Sequence, residues 1–295
     1  MSLKSLPEPK PESITMFNYI DIHSHLHFKD YDNDREEVIS KMKERGVATI
    51  VVGTDYEDSK KAIELANKHE NIFACVGIHP NDIGKVSAEG VPASGWDEKL
   101  FEELAREKKV VAIGECGLDY FRLKENIEEE KAKQKSLFIK HILLSIKIGK
   151  PLMLHGRGTN NSYDAYEDML EILEKYHKTY GDPPAGEAGK LKGNAHFFAG
   201  DISIAERFLN IGFTMSFSGV ITFTKDYDDV VHFVPLNMIH AETDSPYATP
   251  VPFRGKRNNP FYVEEVVRRI ALIREYGEQE VMEELRENCK RVFGI

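Results

Sequence analysis

The sequence predicts an α/β protein, a (β/α)8 TIM barrel of parallel strands, on three observations. Eight strand-like apolar runs alternate with helix-like amphipathic runs along the 295 residues. Several of those runs, such as ATIVVG at 48–53, are continuously apolar, as parallel strands buried on both faces are. Six metal-capable side chains, His23, His25, Glu115, His155, His196 and Asp244, stand where five of the strands end, and a barrel builds its site from the C-terminal ends of its strands. An open doubly wound sheet shares the alternation. Its first strand usually leads into a glycine-rich phosphate loop, whereas here the first strand ends in HSHLH, with no glycine.

The elements follow in order. The first strand is read at Tyr19–Ile22, with His23 and His25 after it. Residues two apart on a strand face the same side, so both imidazoles can point into the barrel mouth. Helix Asp34–Arg45 stops at Gly46, a residue suited to a left-handed cap. Strand Val47–Gly53, helix Glu57–His69 and strand Ile72–Gly77 come next, the last leading to His79 in GIHP. Helix Asp97–Glu107 precedes strand Val110–Gly114, where Glu115 interrupts the run VVAIG. Glutamate is almost never fully buried unless paired, and its two oxygens can bridge two cations; a salt-bridged core glutamate is the alternative. Helix Glu128–Ile148, capped by Gly149, leads to strand Pro151–Leu154, then His155 and Arg157. Helix Ser162–Tyr176 and a surface loop at 181–193 (GDPPAGEAGKLKG) precede strand Gly193–Phe197, which carries His196. Helix Ile202–Leu209, strand Gly212–Ser216, helix Asp226–Val234 and strand Met238–Thr243 bring the chain to Asp244. Helices Pro260–Tyr276 and Glu278–Lys290 come last.

Neutral imidazole and carboxylate are the usual ligands of catalytic divalent metals. A lone histidine at a strand end is more often a satisfied core residue than a ligand, so the weight rests on the set. His240, Glu242 and Asp244 share a parity; Asp244 is the outermost, and the other two are expected as a polar pair inside the barrel. His27, His69, His141, His177 and His232 are assigned to surface or packing roles.

Bulk properties bound the function. With 39 Lys and Arg against 49 Asp and Glu, the net charge is −10. Broad charge-driven binding to nucleic acid is thereby disfavoured, but a few phosphates gripped at a metal centre are not, because bound cations would dominate the local field. No apolar run approaches the ~20 residues of a membrane helix. Residues 1–16 are rich in proline and charge and lack an apolar signal core, so they are read as a flexible lead-in to one hydrolase barrel domain spanning 17–295. Cys75, Cys116 and Cys289 have no paired spacing, which suits a reducing compartment. A cytoplasmic protein, or a nuclear one in a eukaryote, is expected, with no obligate protein partner.

A resemblance then becomes visible. DIHSHLH (21–27), VGIHP (76–80), IGECGLDY (113–120), the helix segment beginning at Gln134, PLMLHGR (151–157), HFFAG (196–200), GFTMSFSG (212–219), ETDSPY (242–247) and RNNP (257–260) follow one another as in the TatD family of metal-dependent deoxyribonucleases. Together the chain resembles that family from residue 21 to 260, with GECGLDY and ETDSPY the most specific segments.

The resemblance implies two, sometimes three, divalent cations, with Mg, Mn and Zn all compatible with the mixed ligands. His23, His25 and Asp244 would hold one, His155 and His196 the other, with Glu115 bridging. It implies hydrolysis of DNA phosphodiesters from a 3′ end, on single-stranded or frayed DNA. Asp244 and Glu115 would be catalytic, and His79 would supply a proton or hold a phosphate, unless it only stabilises the turn before Pro80. Arg157, just past His155, would contact phosphate or stand in a surface ion pair, and Asn258, in the family's N-x-P motif, would sit at the substrate or support the loop beside it. Tyr120, Phe121, Phe217 and Tyr247 are candidates for stacking on bases. Two departures bear on substrate: Ala199 stands where the family usually has Ser or Thr, and the 181–193 loop is long. The alternatives are a hydrolase of a small amide, lactone or phosphate ester, since fold does not fix substrate, and, less favoured, a metal-stabilised binding module.

Overall fold

A computed structural model describes residues 17–83, 96–181 and 190–295. The expected lead-in at 1–16, and residues 182–189 of the expected loop, lie outside these. Among the described residues, β1 (Tyr19–Ser24), β2 (Val47–Val52), β3 (Ile72–Val76), β4 (Val110–Asp119), β5 (Leu152–Arg157), β6 (Gly193–Ala195), β7 (Thr214–Phe217) and β8 (Ile239–Ala241) form one parallel sheet in chain order. The sheet curls back on itself. Past the end of β8, Asp244 N donates to His23 O at 2.9 Å and His25 N to Ser245 O at 2.7 Å, and Ser24 bridges Ser245 in parallel. The (β/α)8 barrel expected from the sequence is the observed fold.

Helices α1 (Arg35–Arg45), α2 (Tyr56–Lys68), α3 (Glu98–Ala105), α4 (Ile127–Ile148), α5 (Asp164–Tyr180), α6 (Ile202–Asn210), α7 (Asp228–Phe233) and α8 (Val263–Arg274) surround the sheet, and α9 (Glu278–Phe293) follows. Their starts have local causes. The Asp55, Asp97 and Asp201 side chains each accept a backbone N–H of the first turn of α2, α3 and α6. Gly46 and Gly149 close α1 and α4 in the left-handed conformation, as read. The region read as one helix over 260–276 divides into a 3-10 turn, Pro260–Tyr262, and α8.

Apolar side chains fill two layers. One lies between sheet and helices and includes Val47, Val51, Val76, Leu152 and Leu154. The other fills the lower barrel, where Ile20, Ile22, Ile50, Val52, Ala112 and Met153 meet Cys289, Val292 and Phe293 of α9. The C-terminal helix therefore closes the floor of the barrel.

The strand ends differ from the sequence reading in a way that matters for the site. β4 runs on to Asp119 and β5 to Arg157, so Glu115 and His155 lie within strands instead of past them. Beyond the apolar stretch, Gly117 pairs with His155, Leu118 with Gly156 and Asp119 with Arg157. Backbone pairing needs no apolar side chains, and glycine permits the approach. At Gly114 (φ +152) a Cβ would lie 2.4 Å from Met153 O, and at Gly117 (φ +140) 2.1 Å from His155 O. The glycines of GECG are thus the residues at which β4 crowds β5.

Candidate metal centre

Register shifts aim the site. β1 slips against β2 between Asp21 and Ser24, and β4 slips against β5 between Ile113 and Cys116. His23 and Glu115 sit inside these irregularities, where a bulge re-aims side chains at a barrel rim. Asp244 has φ +51, and its N–H is already tied to His23 O.

All six expected ligands converge. Glu115 Oε2 faces His23 Nε2 at 3.4 Å and His25 Nε2 at 3.9 Å. Its Oε1 faces His155 Nδ1 at 2.7 Å, His196 Nε2 at 3.0 Å and His79 Nε2 at 3.6 Å. Asp244 Oδ1 lies 3.5 Å from His25 Nε2 and 3.8 Å from His23 Nε2. Two three-residue sets result, His23–His25–Asp244 and Glu115–His155–His196, each with ligand atoms close enough to share one ion. Further sets are His79–Asp119–His155 and His23–His196–Glu242.

The residues suit a cation. Nδ1 and Nε2 of His23 are buried without a hydrogen-bond partner, an arrangement that is costly unless something accepts the lone pair. Two imidazoles are locked in ligand orientation from behind. His25 Nδ1 is 2.9 Å from Val52 O, which fixes that nitrogen as donor and leaves Nε2 free to ligate. His196 Nδ1 lies 3.3 Å from Glu242 Oε1. Glu242 in turn accepts from Ser216 Oγ at 2.5 Å, and Ser216 from Asn194 Nδ2 at 2.8 Å. Burial would raise the Glu115 carboxyl, but His79, His196 and His23 and the His155 hydrogen bond hold it well below the usual carboxylate range. Burial likewise opposes ionisation of Asp244, and the His25 contact overcomes it.

Several residues stand elsewhere than expected. His240 and Glu242 are not a pair: Glu242, just past the end of β8, backs His196, whereas His240, inside β8, has its Nδ1 3.4 Å from Cys289 Sγ of α9 on the floor side. Asn258 does not border the cavity above these side chains. It is fully buried, and its amide donates to Thr243 O (2.9 Å) and Tyr247 O (2.6 Å), which supports the ETDSPY loop. Tyr120 and Phe217 are each 1% exposed and cannot stack on a ligand, whereas Phe121 (44%) and Tyr247 (55%) are exposed. His79 Nδ1 accepts from Asn81 N at 3.1 Å, so the ring does stabilise its turn, yet its Nε2–H faces the cluster. His27 is buried against Asp58 at 2.8 Å, and His141 is buried in α4.

The structure adds residues that the sequence reading missed. Asp119 Oδ2 lies 3.2 Å from His155 Nε2 and accepts from Asn81 Nδ2 at 2.7 Å. Its signal was present, since Asp119 follows Glu115 at the same strand parity in GECGLDY. Buried Asp21 accepts from Thr243 N (2.8 Å) and Thr243 Oγ1 (2.7 Å), tying β1 to the segment after β8. Phe28 stacks on His25 with ring centroids 4.5 Å apart. Asp119 and Phe28, with Arg122, Arg157, Phe197, Ala199 and Tyr227, border a cavity of about 710 Å³ above the cluster.

Comparison with known proteins agrees with this picture. The sequence profile of a family described as TatD related DNase matches residues 20–294. The chain is 37% identical to YabD of Bacillus subtilis over 278 residues, 93% of this chain and 98% of that protein. It is 32% identical to YcfH of Escherichia coli K12 over 282 residues, 94% and 96% of the two chains. Both are described as uncharacterized metal-dependent hydrolases. The crystal structure of YjjV, a TatD homolog from Escherichia coli K12, superposes with a TM-score of 0.78 at 25% identity, covering 95% of this chain and 99% of that one.

Proposed function

We propose that this chain, which belongs to the TatD family of metal-dependent hydrolases, is a deoxyribonuclease that removes nucleotides from the 3′ ends of single-stranded or frayed DNA. The observation that carries the reading is the division of Glu115: one oxygen faces His23 and His25, the other His155 and His196. A carboxylate placed between two ligand sets is what a two-ion site of His, Asp and Glu requires. Such ions would supply Lewis acidity toward a phosphoryl oxygen and acidify a water for in-line attack.

The chain's own groups then have distinct tasks. Glu115 holds the two ligand sets in register. Asp244 is partly open to the cavity and accepts the proton of the attacking water. His79 donates Nε2–H toward a phosphate oxygen, because its Nδ1 is already an acceptor and only Nε2 carries hydrogen. That geometry favours holding phosphate over delivering a proton. The cavity is recessed, which favours an unstacked end over continuous duplex. Support for DNA in particular comes from the family description and from the two arginines at the rim.

The test is digestion of 3′-labelled and 5′-labelled single-stranded DNA by metal-reconstituted protein. Stepwise shortening from the 3′ end is expected, abolished by chelator. Glu115→Ala is expected to lose at least about 100-fold in rate, the scale of losing electrostatic stabilisation at a reacting group, while keeping the wild-type circular dichroism. If wild-type protein with bound metal cleaves no DNA, the substrate is a small ester or amide instead. If Glu115→Ala unfolds with metal content unchanged, Glu115 is a core residue and the centre lies elsewhere.

A further inference from the structure

Most surface guanidiniums of this acidic chain are paired with carboxylates: Arg35 with Asp32, Arg106 with Glu102, Arg207 with Glu174, Arg257 with Asp34 and Arg269 with Asp228. Arg254, Arg274 and Arg291 donate to backbone carbonyls instead, and two at the cavity rim do neither. Arg122 follows the end of β4, and Arg157 is the last residue of β5. Both are exposed, both border the cavity that holds Glu115 and Asp244, and neither pairs with a carboxylate among the described residues. Arg157 is the register neighbour of Asp119. The Asp119 carboxylate nevertheless turns inward to His155 and Asn81. The Arg157 guanidinium lies over the exposed Phe121 ring, 3.9 Å from its centroid. Stacking holds the guanidinium extended with its N–H fork unspent, the state in which arginine binds a phosphate bidentately. Two exposed guanidiniums with no carboxylate partner at the edge of the cavity leave that rim with free N–H donors for an anion.

We propose that Arg122 and Arg157 form a second phosphate position, which holds the phosphate immediately 5′ of the one hydrolysed. The inference rests on the 3′-exonuclease reading above. Its polarity follows from chemistry. A nucleotide with a free 3′-hydroxyl has no phosphate on its 3′ side, so when the last linkage lies over the metal cluster the only neighbouring phosphate is on the 5′ side. The arginines mark where the chain leaves the cavity.

The test is a chemical double cycle. Removal of the last nucleotide is measured as kcat/KM on a 5′-labelled oligothymidylate and on the same oligomer whose penultimate linkage is a neutral methylphosphonate. Wild type is expected to lose at least about 10-fold on the neutral linkage, the scale of one charge-assisted contact. The Arg122→Ala/Arg157→Ala double variant is expected to lose at least about 10-fold on the all-phosphate oligomer, with no further loss on the methylphosphonate. The Arg122→Lys/Arg157→Lys variant should recover part of both. Equal cost of the neutral linkage to wild type and double variant would overturn the proposal, as would no cost to wild type. Failure of the exonuclease reading itself would look different: wild type would shorten neither oligomer.

Discussion

At the residue scale, the centre divides into side chains that touch the shared space and side chains that act through them. His23, His25, Glu115, His155, His196 and Asp244 were legible in the sequence, because each is a polar residue breaking or ending an apolar run. The parity of Asp119 with Glu115 was legible too, but its contact with His155 was not, because the two lie 36 positions apart and only folding joins them. Glu242 was found but misassigned, since parity says which side of a strand a residue faces and not how deep it sits. Asp119 gives a prediction. It contacts His155 Nε2 at 3.2 Å while His155 Nδ1 contacts Glu115 at 2.7 Å, so removing it frees the ring to rotate. Outer partners of ligands typically contribute 10–100-fold in metal affinity or activity. Asp119→Ala should therefore weaken metal binding by about 10–100-fold in a competition titration with a chelator. An affinity equal to wild type would mean that Glu115 alone orients His155.

At the element scale, the order of elements and the helix ends at Gly46 and Gly149 were legible, and the strand ends were not. Strands β4 and β5 outrun their apolar residues because backbone pairing and the glycines of GECG continue them. A helix also carries part of the site's support. His141 of α4 is buried; its Nε2 accepts from Ile78 N at 3.0 Å, so Nδ1 bears the hydrogen and donates to Leu137 O at 3.0 Å. That acceptor anchors the segment that leads to His79. Burial lowers the His141 pKa to about 4, against 6.5 for a free histidine. The unfolded chain takes up this proton first as pH falls, so the stabilisation is complete above about pH 6.5 and is lost progressively toward pH 4. The ceiling on that loss is about 3 kcal/mol. His240, held down to about 3 by burial, acts in the same direction. His141→Gln should therefore show a smaller drop in urea midpoint than wild type between about pH 7.5 and about pH 5. The same drop in both proteins would assign the acid sensitivity to other groups.

At the scale of the whole molecule, function and stability occupy opposite ends of the barrel. The mouth holds buried polar residues and a left-handed Asp244, both unfavourable for folding by themselves. The floor compensates. There α9 inserts Cys289, Val292 and Phe293 against Ile20, Ile22 and Ile50, a use of the last helix that its amphipathic pattern did not disclose. Periodicity shows that a face is apolar but not which surface it covers. Phe293 is 6% exposed, and its ring lies 5.4 Å from that of His240. Phe293→Ala should cost about 3–5 kcal/mol, the usual loss for a buried aromatic, read as a lower urea midpoint with unchanged slope. Because the floor shares no ligand with the mouth, kcat per folded molecule and metal content should stay within about 2-fold of wild type, as expected for sites without shared partners. The informative contrary result is a fall in kcat at temperatures where Phe293→Ala is still fully folded. His240 precedes Glu242 by two residues on the path to His196, so such a fall would mean that a displaced His240 moves Glu242 and that the two ends of the barrel are mechanically joined.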